Sequence, residues 1–244
     1  KLNNLWKKVL LNQFHDIIPG SSINLVYQTT HKEYLEVHSG CDGLLSDASR
    51  LLFNKDNESF VLVNTLSYKW KGLVVLPKNF EGYRIVNEEG SNVLVHKSSE
   101  GYSIDVNLDS LSMYSFKKAE KIKLEIQSSS DFILENDSIK YEFDEKGALI
   151  SAYDKEANYE AMKEPGNIFS LYEDIPNNWD AWDIDFFYRD ALIETGAVES
   201  IKLSSCSKIL KQLEISFSIG NSKIQQVISL SSHSKRLDFN TCLL

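Results

Sequence analysis

Two short stretches of this 244-residue chain combine residue types that can do chemistry. The first is Leu11-Asn12-Gln13-Phe14-His15-Asp16-Ile17-Ile18-Pro19-Gly20-Ser21-Ser22. His15 and Asp16 put an imidazole beside a carboxylate near the end of a helical pattern, where carbonyls are exposed and cations are favoured. An imidazole can ligate a metal or carry a proton. One histidine is not a metal site, because zinc takes three or four converging ligands. No other His or Cys stands at a helical spacing that would complete one locally. His31, His38, His96 and His233 could join only through tertiary folding, and each reads first as a surface or partly buried residue. On residues alone, His15 reads first as a capping or core histidine with Asp16 solvated beside it.

The second stretch is Tyr172-Glu173-Asp174-Ile175-Pro176-Asn177-Asn178-Trp179-Asp180-Ala181-Trp182-Asp183-Ile184-Asp185. Indole faces stack on the apolar faces of sugar rings, and carboxylates accept hydrogen bonds from hydroxyls. Asp174, Asp180 and Asp183 are therefore candidate sugar ligands, with Trp179 and Trp182 as candidate stacking faces. The acid spacing is not that of an EF-hand loop. A plain loop with a tryptophan packed under it would use the same residues.

The elements that must position these stretches change character along the chain. Leu2, Leu5, Trp6, Val9, Leu10, Phe14 and Ile17 recur at helical steps and predict one helix up to the Pro19-Gly20 break. Ser21 or Ser22 offers an N-cap oxygen for a second helix. That helix carries a seam of Ile23, Val26, Thr30, Tyr34, Val37, Cys41, Leu44, Ala48 and Leu51, and Gly40 and Gly43 mark where a bend would fall. Two such helices leave a face that needs covering. The polar run 54–59 is the expected boundary, after which the period becomes two. Strands are expected at 60–63, 73–76, 83–86, 92–95, 102–106 and 122–126. Past a second joint at Ser128-Ser129-Ser130, a hairpin is expected at 139–143 and 149–153, with further strands at 213–217, 223–228 and 236–244. The fold class is α+β: antiparallel helices, then a predominantly antiparallel β-sandwich region. The domains are a helical segment 1–54, a small β domain 55–130 and the start of a larger sandwich 131–244. Neither end carries a start signal or a finishing turn, so the chain reads as cut from a longer one.

Composition narrows the partners. Twenty-six Lys and Arg against 35 Asp and Glu give a net charge of −9. That balance disfavours nucleic acid and anionic membranes, and no apolar run has the length of a spanning helix. Cys41, Cys206 and Cys242 are few, odd in number and widely spaced, which fits a reducing compartment and a cytoplasmic location.

The first stretch resembles the Asn-Gln-Phe-His-Asp-Ile-Leu-Pro-Gly-Ser-Ser segment of the glycoside hydrolase family 38 α-mannosidases, with Ile18 in place of a common leucine. The second resembles the Glu-Asp-x-Pro-x-x-Trp-Asp-Ala-Trp-Asp-Ile-Asp run of bacterial and cytosolic-type members. Val61–Tyr68 and Tyr141–Gly147 are similar to β segments of the same family. The resemblance implies that His15 is one ligand of a catalytic zinc and that Asp16 binds sugar hydroxyls. It further implies Asp180, Trp182 and Asp183 as substrate-binding residues, and an α-mannoside oligosaccharide as substrate. One histidine alone suits cobalt or manganese as well as zinc.

A retaining glycosidase needs two carboxyl groups about 5–5.5 Å apart. No residue of this chain is assigned to that pair, so the expectation is a middle-to-C-terminal fragment without the N-terminal catalytic domain, inactive alone. Its uncovered helical seam favours a homo-oligomer. Two other classes use the same features. A non-catalytic carbohydrate-binding sandwich would bind glycans without zinc through Trp179 and Trp182. A structural adaptor would be indifferent to His15.

Overall fold

The computed structural model describes residues 1–53, 56–98, 101–125, 131–179, 184–206 and 209–244. It divides into two compact units. One comprises Lys1–Asp56 with Glu173–Ala191, the other Asn57–Tyr172 with Leu192–Leu244.

The first unit is built on a helical hairpin of α1 (Leu2–Asn12) and α2 (Asn24–Leu52). α1 stops at Asn12, well before the Pro19 break expected from periodicity. Asn12 explains the early end. Its buried amide donates to the Lys8 carbonyl at 2.9 Å and to Glu33 Oε2 of α2 at 2.6 Å, which fastens the last turn to the partner helix. The Lys8–Glu36 ion pair adds a second polar tie and holds the Glu36 carboxyl below the usual carboxylate range. The expected serine N-cap of α2 does not form. Ile23 is the N-cap, without a side-chain cap bond, because the Ser22 hydroxyl is turned back to the Asp16 carbonyl. α2 continues unbroken through Gly40 and Gly43. Gly40 is instead a contact position: a Cβ there would lie 2.8 Å from a Leu5 methyl of α1. No residue of α2 is buried, and Asn12 is the one buried residue of α1. Leu2, Trp6, Leu10, Leu35, Leu45 and Leu51 are exposed.

The second unit is antiparallel throughout. Its first part has β1 (Ser59–Asn64), β2 (Trp70–Val75), β3 (Tyr83–Asn87), β4 (Asn92–Val93), β5 (Val95–Ser98), β6 (Gly101–Leu108) and β7 (Ser112–Lys121). They form two sheets, in the orders β1-β7-β3-β4 and β2-β6-β5. Leu76, Phe80, Ile85, Ile104, Val106, Leu108 and Phe116 make the shared core. The expected run 92–95 is split at Leu94 into β4 and β5. The expected strand at 122–126 is displaced: residues 122–125 lie outside any strand, residue 126 lies outside the described residues, and β7 occupies 112–121. Its inward Phe116 and full register against β1 outweigh the cleaner alternation downstream. The joint at Ser128-Ser129-Ser130, and residues 54 and 55 of the first boundary, lie outside the described residues.

The second part adds β8 (Ile133–Glu135), β9 (Ile139–Phe143), β10 (Leu149–Asp154), β11 (Tyr159–Glu160), β12 (Ser170–Tyr172), β13 (Leu192–Thr195), β14 (Ala197–Cys206), β15 (Leu210–Ile219), β16 (Ser222–Ser231) and β17 (Leu237–Leu243). Sheet β11-β10-β9-β8 faces sheet β14-β15-β16-β17 across a core that includes Leu134, Phe143, Leu213, Ile215, Phe217 and Ile228. The expected β9–β10 hairpin turns on Asp144, whose carboxylate accepts from the Lys146 and Ala148 amides. Gly147 completes the turn at φ +73°, with Phe217 so close that a Cβ would lie 2.9 Å from its ring. Two helices followed by antiparallel sandwiches make the chain α+β.

Candidate functional site

The His15–Asp16 pair sits on a corner between the two helices. Past Asn12 the chain makes successive turns, with Phe14 N–H donating to Leu11 O at 3.2 Å, Ile17 N–H to Phe14 O at 2.8 Å and Gly20 N–H to Ile17 O at 3.1 Å. Pro19 forbids a further helical turn, and Gly20 takes φ +90°, which a side-chain-bearing residue rarely adopts. Hydroxyls then fix the corner from the α2 side. Ser22 donates to the Asp16 carbonyl, and Tyr27 donates to the Ile17 carbonyl at 3.2 Å while accepting from Ser22 N–H at 2.8 Å. The Pro-Gly-Ser-Ser part of the motif is thus a backbone clamp. None of these clamp bonds uses the His15 or Asp16 side chain.

Those side chains point outward. The His15 side chain is 78% exposed and that of Asp16 41% exposed, with Nε2 and Oδ1 3.6 Å apart. The Phe14 ring lies against the imidazole at 4.3 Å between centroids and limits its swing. This excludes a core histidine. It leaves an imidazole and a carboxylate presented side by side on a rigid corner, a donor set able to hold a hard or borderline cation together with a hydroxyl-bearing ligand. Among the described residues, no group of three His, Cys, Asp or Glu side chains converges. Of the other histidines, His31 and His38 are exposed on α2, and His233 pairs with Asp105 in the β unit. His96 is buried rather than at the surface, at 2% exposure.

The second stretch is an excursion from a β-hairpin. β12 and β13 pair, and the Glu173 N–H to Ala191 O bond of 2.9 Å closes the base. Residues 173–191 leave the sandwich there and belong to the compact unit that contains the helices. The Asn177 N–H donates to Asp185 Oδ2 at 2.8 Å, which folds the loop back on itself. Asp174 is exposed. Trp179 is 74% exposed at φ +64°, so no tryptophan is packed under the loop at that position. Asp180, Trp182 and Asp183, the other sugar-binding candidates, lie outside the described residues. The residues that sequence reasoning left unassigned are Tyr27 and Asn12. Their signal was available as a tyrosine and an asparagine interrupting otherwise apolar helix faces.

Comparison with known proteins gives two family matches in the order of these segments. Residues 1–52 match the alpha mannosidase middle domain, and residues 134–243 match the glycosyl hydrolases family 38 C-terminal domain. Alpha-mannosidase 2C1 of Mus musculus is 31% identical over 188 residues, covering 75% of this chain and 17% of that protein. Alpha-mannosidase G of Dictyostelium discoideum is 23% identical over 296 residues, covering 98% of this chain and 26% of that protein. The alpha-mannosidase of Saccharomyces cerevisiae is 25% identical over 243 residues, covering 95% and 19%. The chain therefore spans between about a sixth and a quarter of the length of the curated relatives it matches. By both domain matches and by these relatives, the chain belongs to glycosyl hydrolase family 38 and carries middle-domain and C-terminal-domain sequence of its α-mannosidases.

Proposed function

We propose that this chain is part of a retaining, zinc-dependent α-mannosidase that hydrolyses terminal α-mannosidic bonds in oligosaccharides, and that His15 is one of the metal ligands. The observation that carries the reading is the corner itself. Within the segment matched to the mannosidase middle domain, the only histidine–aspartate neighbours in the sequence stand exposed on a hydroxyl-clamped turn. Both donors fit a zinc shell, since an imidazole nitrogen and a carboxylate oxygen are ordinary partners for that ion. When bound, zinc would polarise a sugar hydroxyl and hold the ring in place.

The residues of this chain have three tasks on this reading. His15 gives its Nε2 or Nδ1 lone pair to the metal. Asp16 accepts hydrogen bonds from sugar hydroxyls and orients the ring. The Pro19-Gly20-Ser21-Ser22 clamp holds both against rotation. Asp180, Trp182 and Asp183 are assigned to the sugar, with the exposed Trp179 indole as a further stacking face. The nucleophile, the acid/base carboxyl and the remaining metal ligands are assigned to sequence outside these residues, so the chain alone is inactive. We assign the protein to the cytoplasm. No nucleic acid or membrane partner is assigned, and among the described residues no helix is long and apolar enough to cross a membrane.

The reading is tested by metal analysis and α-mannoside hydrolysis. The full-length enzyme should contain about one zinc per protomer and lose turnover on chelation. The 244-residue chain should show neither stoichiometric zinc nor turnover. Turnover by the chain alone that is lost on chelation would overturn the division of labour. Glycan binding without zinc, abolished by Trp179→Ala, would favour the non-catalytic carbohydrate-binding module instead.

A further inference from the structure

The turn that joins β16 to β17, residues 232–236, is tied down by its own sandwich. Asn136, between β8 and β9, donates its side-chain amide to the Ser231 and Ser234 carbonyls, each at 2.8 Å. The Tyr141 hydroxyl of β9 donates to the Lys235 carbonyl at 2.6 Å. The Lys235 ammonium reaches both carboxylate oxygens of Asp154 on β10, at 2.9 and 2.8 Å, and Glu156 at 2.7 Å. Ser232 N–H donates to the Ile209 carbonyl at 3.0 Å.

None of these bonds uses the His233 side chain. It reaches out of the large sandwich to Asp105 of β6 in the small one, where Nε2 and Oδ2 share a hydrogen bond. Ile104 and Val106 fill the small core, so alternation turns Asp105 to the opposite face. The Asp105 side chain is only 15% exposed there, and its Oδ1 is buried with no hydrogen-bond partner in the protein. A buried carboxylate left without a donor is costly, so Asp105 favours the seat that presents one. His233 presents it at a fixed point because the turn behind it is already held. The two sandwiches also approach one another at β5 and β14, but the buried residues of β5 are His96 and Ser98, both polar. Neighbouring domains without a large apolar interface move relative to one another unless something fixes them.

We propose that residues 231–236 form a preformed docking arm that sets the orientation of the small sandwich on the large one, with His233 as the positioning residue and Asp105 as its socket. The seat is decided at two places. One is the hydrogen bond at the tip. The other is the set of ties at the base, whose partners all belong to the large sandwich. The arm lies inside the segment matched to the family's C-terminal domain, 134–243. The socket lies between that segment and the middle-domain match at 1–52. The arm thus connects a family-matched sandwich to the one that intervenes. This inference is independent of the metal reading.

The test is the orientation of the two sandwiches in solution, read from amide residual dipolar couplings of the full 244-residue chain. In the wild type, one alignment should account for β1–β7 and β8–β17 together. His233→Ala should separate the couplings into two alignments, while each sandwich still fits its own structure. Asn136→Ala should separate them as well, although the Asn136 side chain bonds within the large sandwich. Arg236→Ala, which loses the exposed pair with Asp238, should keep one alignment. Two alignments in the wild type or in Arg236→Ala, or one in His233→Ala or Asn136→Ala, overturn the proposal. Should either of the last two fail to fold, Tyr141→Phe decides, since it loses only the hydroxyl bond to the Lys235 carbonyl. Separated alignments then support the arm, and a single alignment overturns it.

Discussion

The helical hairpin and the β unit solve the burial problem differently. In the β unit, alternation sends Leu213, Ile215 and Phe217 from one strand and Ile224, Ile228 and Leu230 from the next into a closed core. In the hairpin, twenty-nine residues of α2 include none that is buried, and the single buried residue of α1 is an asparagine. The β unit can hold itself together by excluding water from apolar side chains. The hairpin is held by two polar ties, the Leu5 contact at Gly40 and a half-buried seam that includes Val9, Val37 and Leu44, while most of its leucines remain exposed. The candidate metal corner thus sits on the part of the molecule with the weaker core of its own. The larger core and the candidate site are segregated.

Substitutions can break or sharpen this contrast. The largest effect belongs to the β core, where Leu213→Ala should cost roughly 2–5 kcal/mol in chemical denaturation. Gly147→Ala comes next, at about 2–5 kcal/mol. It places a Cβ in the left-handed region, which costs about 1–2, and against the fixed Phe217 ring, which costs about 1–3 more. Asn12→Ala should cost about 1–3 kcal/mol and act on the hairpin alone, read from the fluorescence of Trp6 rather than Trp70. Leu35→Ser, on the exposed face of α2, should stay within about 0.5 kcal/mol and reduce self-association in sedimentation. If Leu35→Ser cost as much as Leu213→Ala, the contrast between the two units would be wrong.

Much of the β unit was legible because short apolar or alternating runs between polar turns are a local signal. The runs around 60–63 and 73–75 are short and apolar, those around 83–86, 139–143 and 223–228 are interleaved with polar residues, and each lies in a strand. What failed was decided by partners distant in sequence. β7 takes 112–121 because β1 and β3 pair with it on both sides, not because its own pattern is cleaner than that of 122–126. α1 ends at Asn12 because Glu33 of α2 receives the Asn12 amide. His96 reads as a surface or partly buried residue because its own strand pattern does not report the packing that leaves it 2% exposed. The candidate corner was legible for a different reason. Pro19, Gly20, Ser21 and Ser22 are local instructions for a turn, and the structure uses all four to present His15 and Asp16.

The central claim is that His15 belongs to a metal shell, and one experiment tests it most directly. Hydrolysis of an aryl α-mannoside should be measured for the full-length enzyme and its His15→Ala variant, each with and without added zinc. Loss of one ligand should lower turnover at least as far as the roughly 10–100-fold that loss of an outer-shell partner costs, with partial recovery in excess zinc. Equal rates for the two proteins would remove His15 from the chemistry and leave the corner as a turn between two helices.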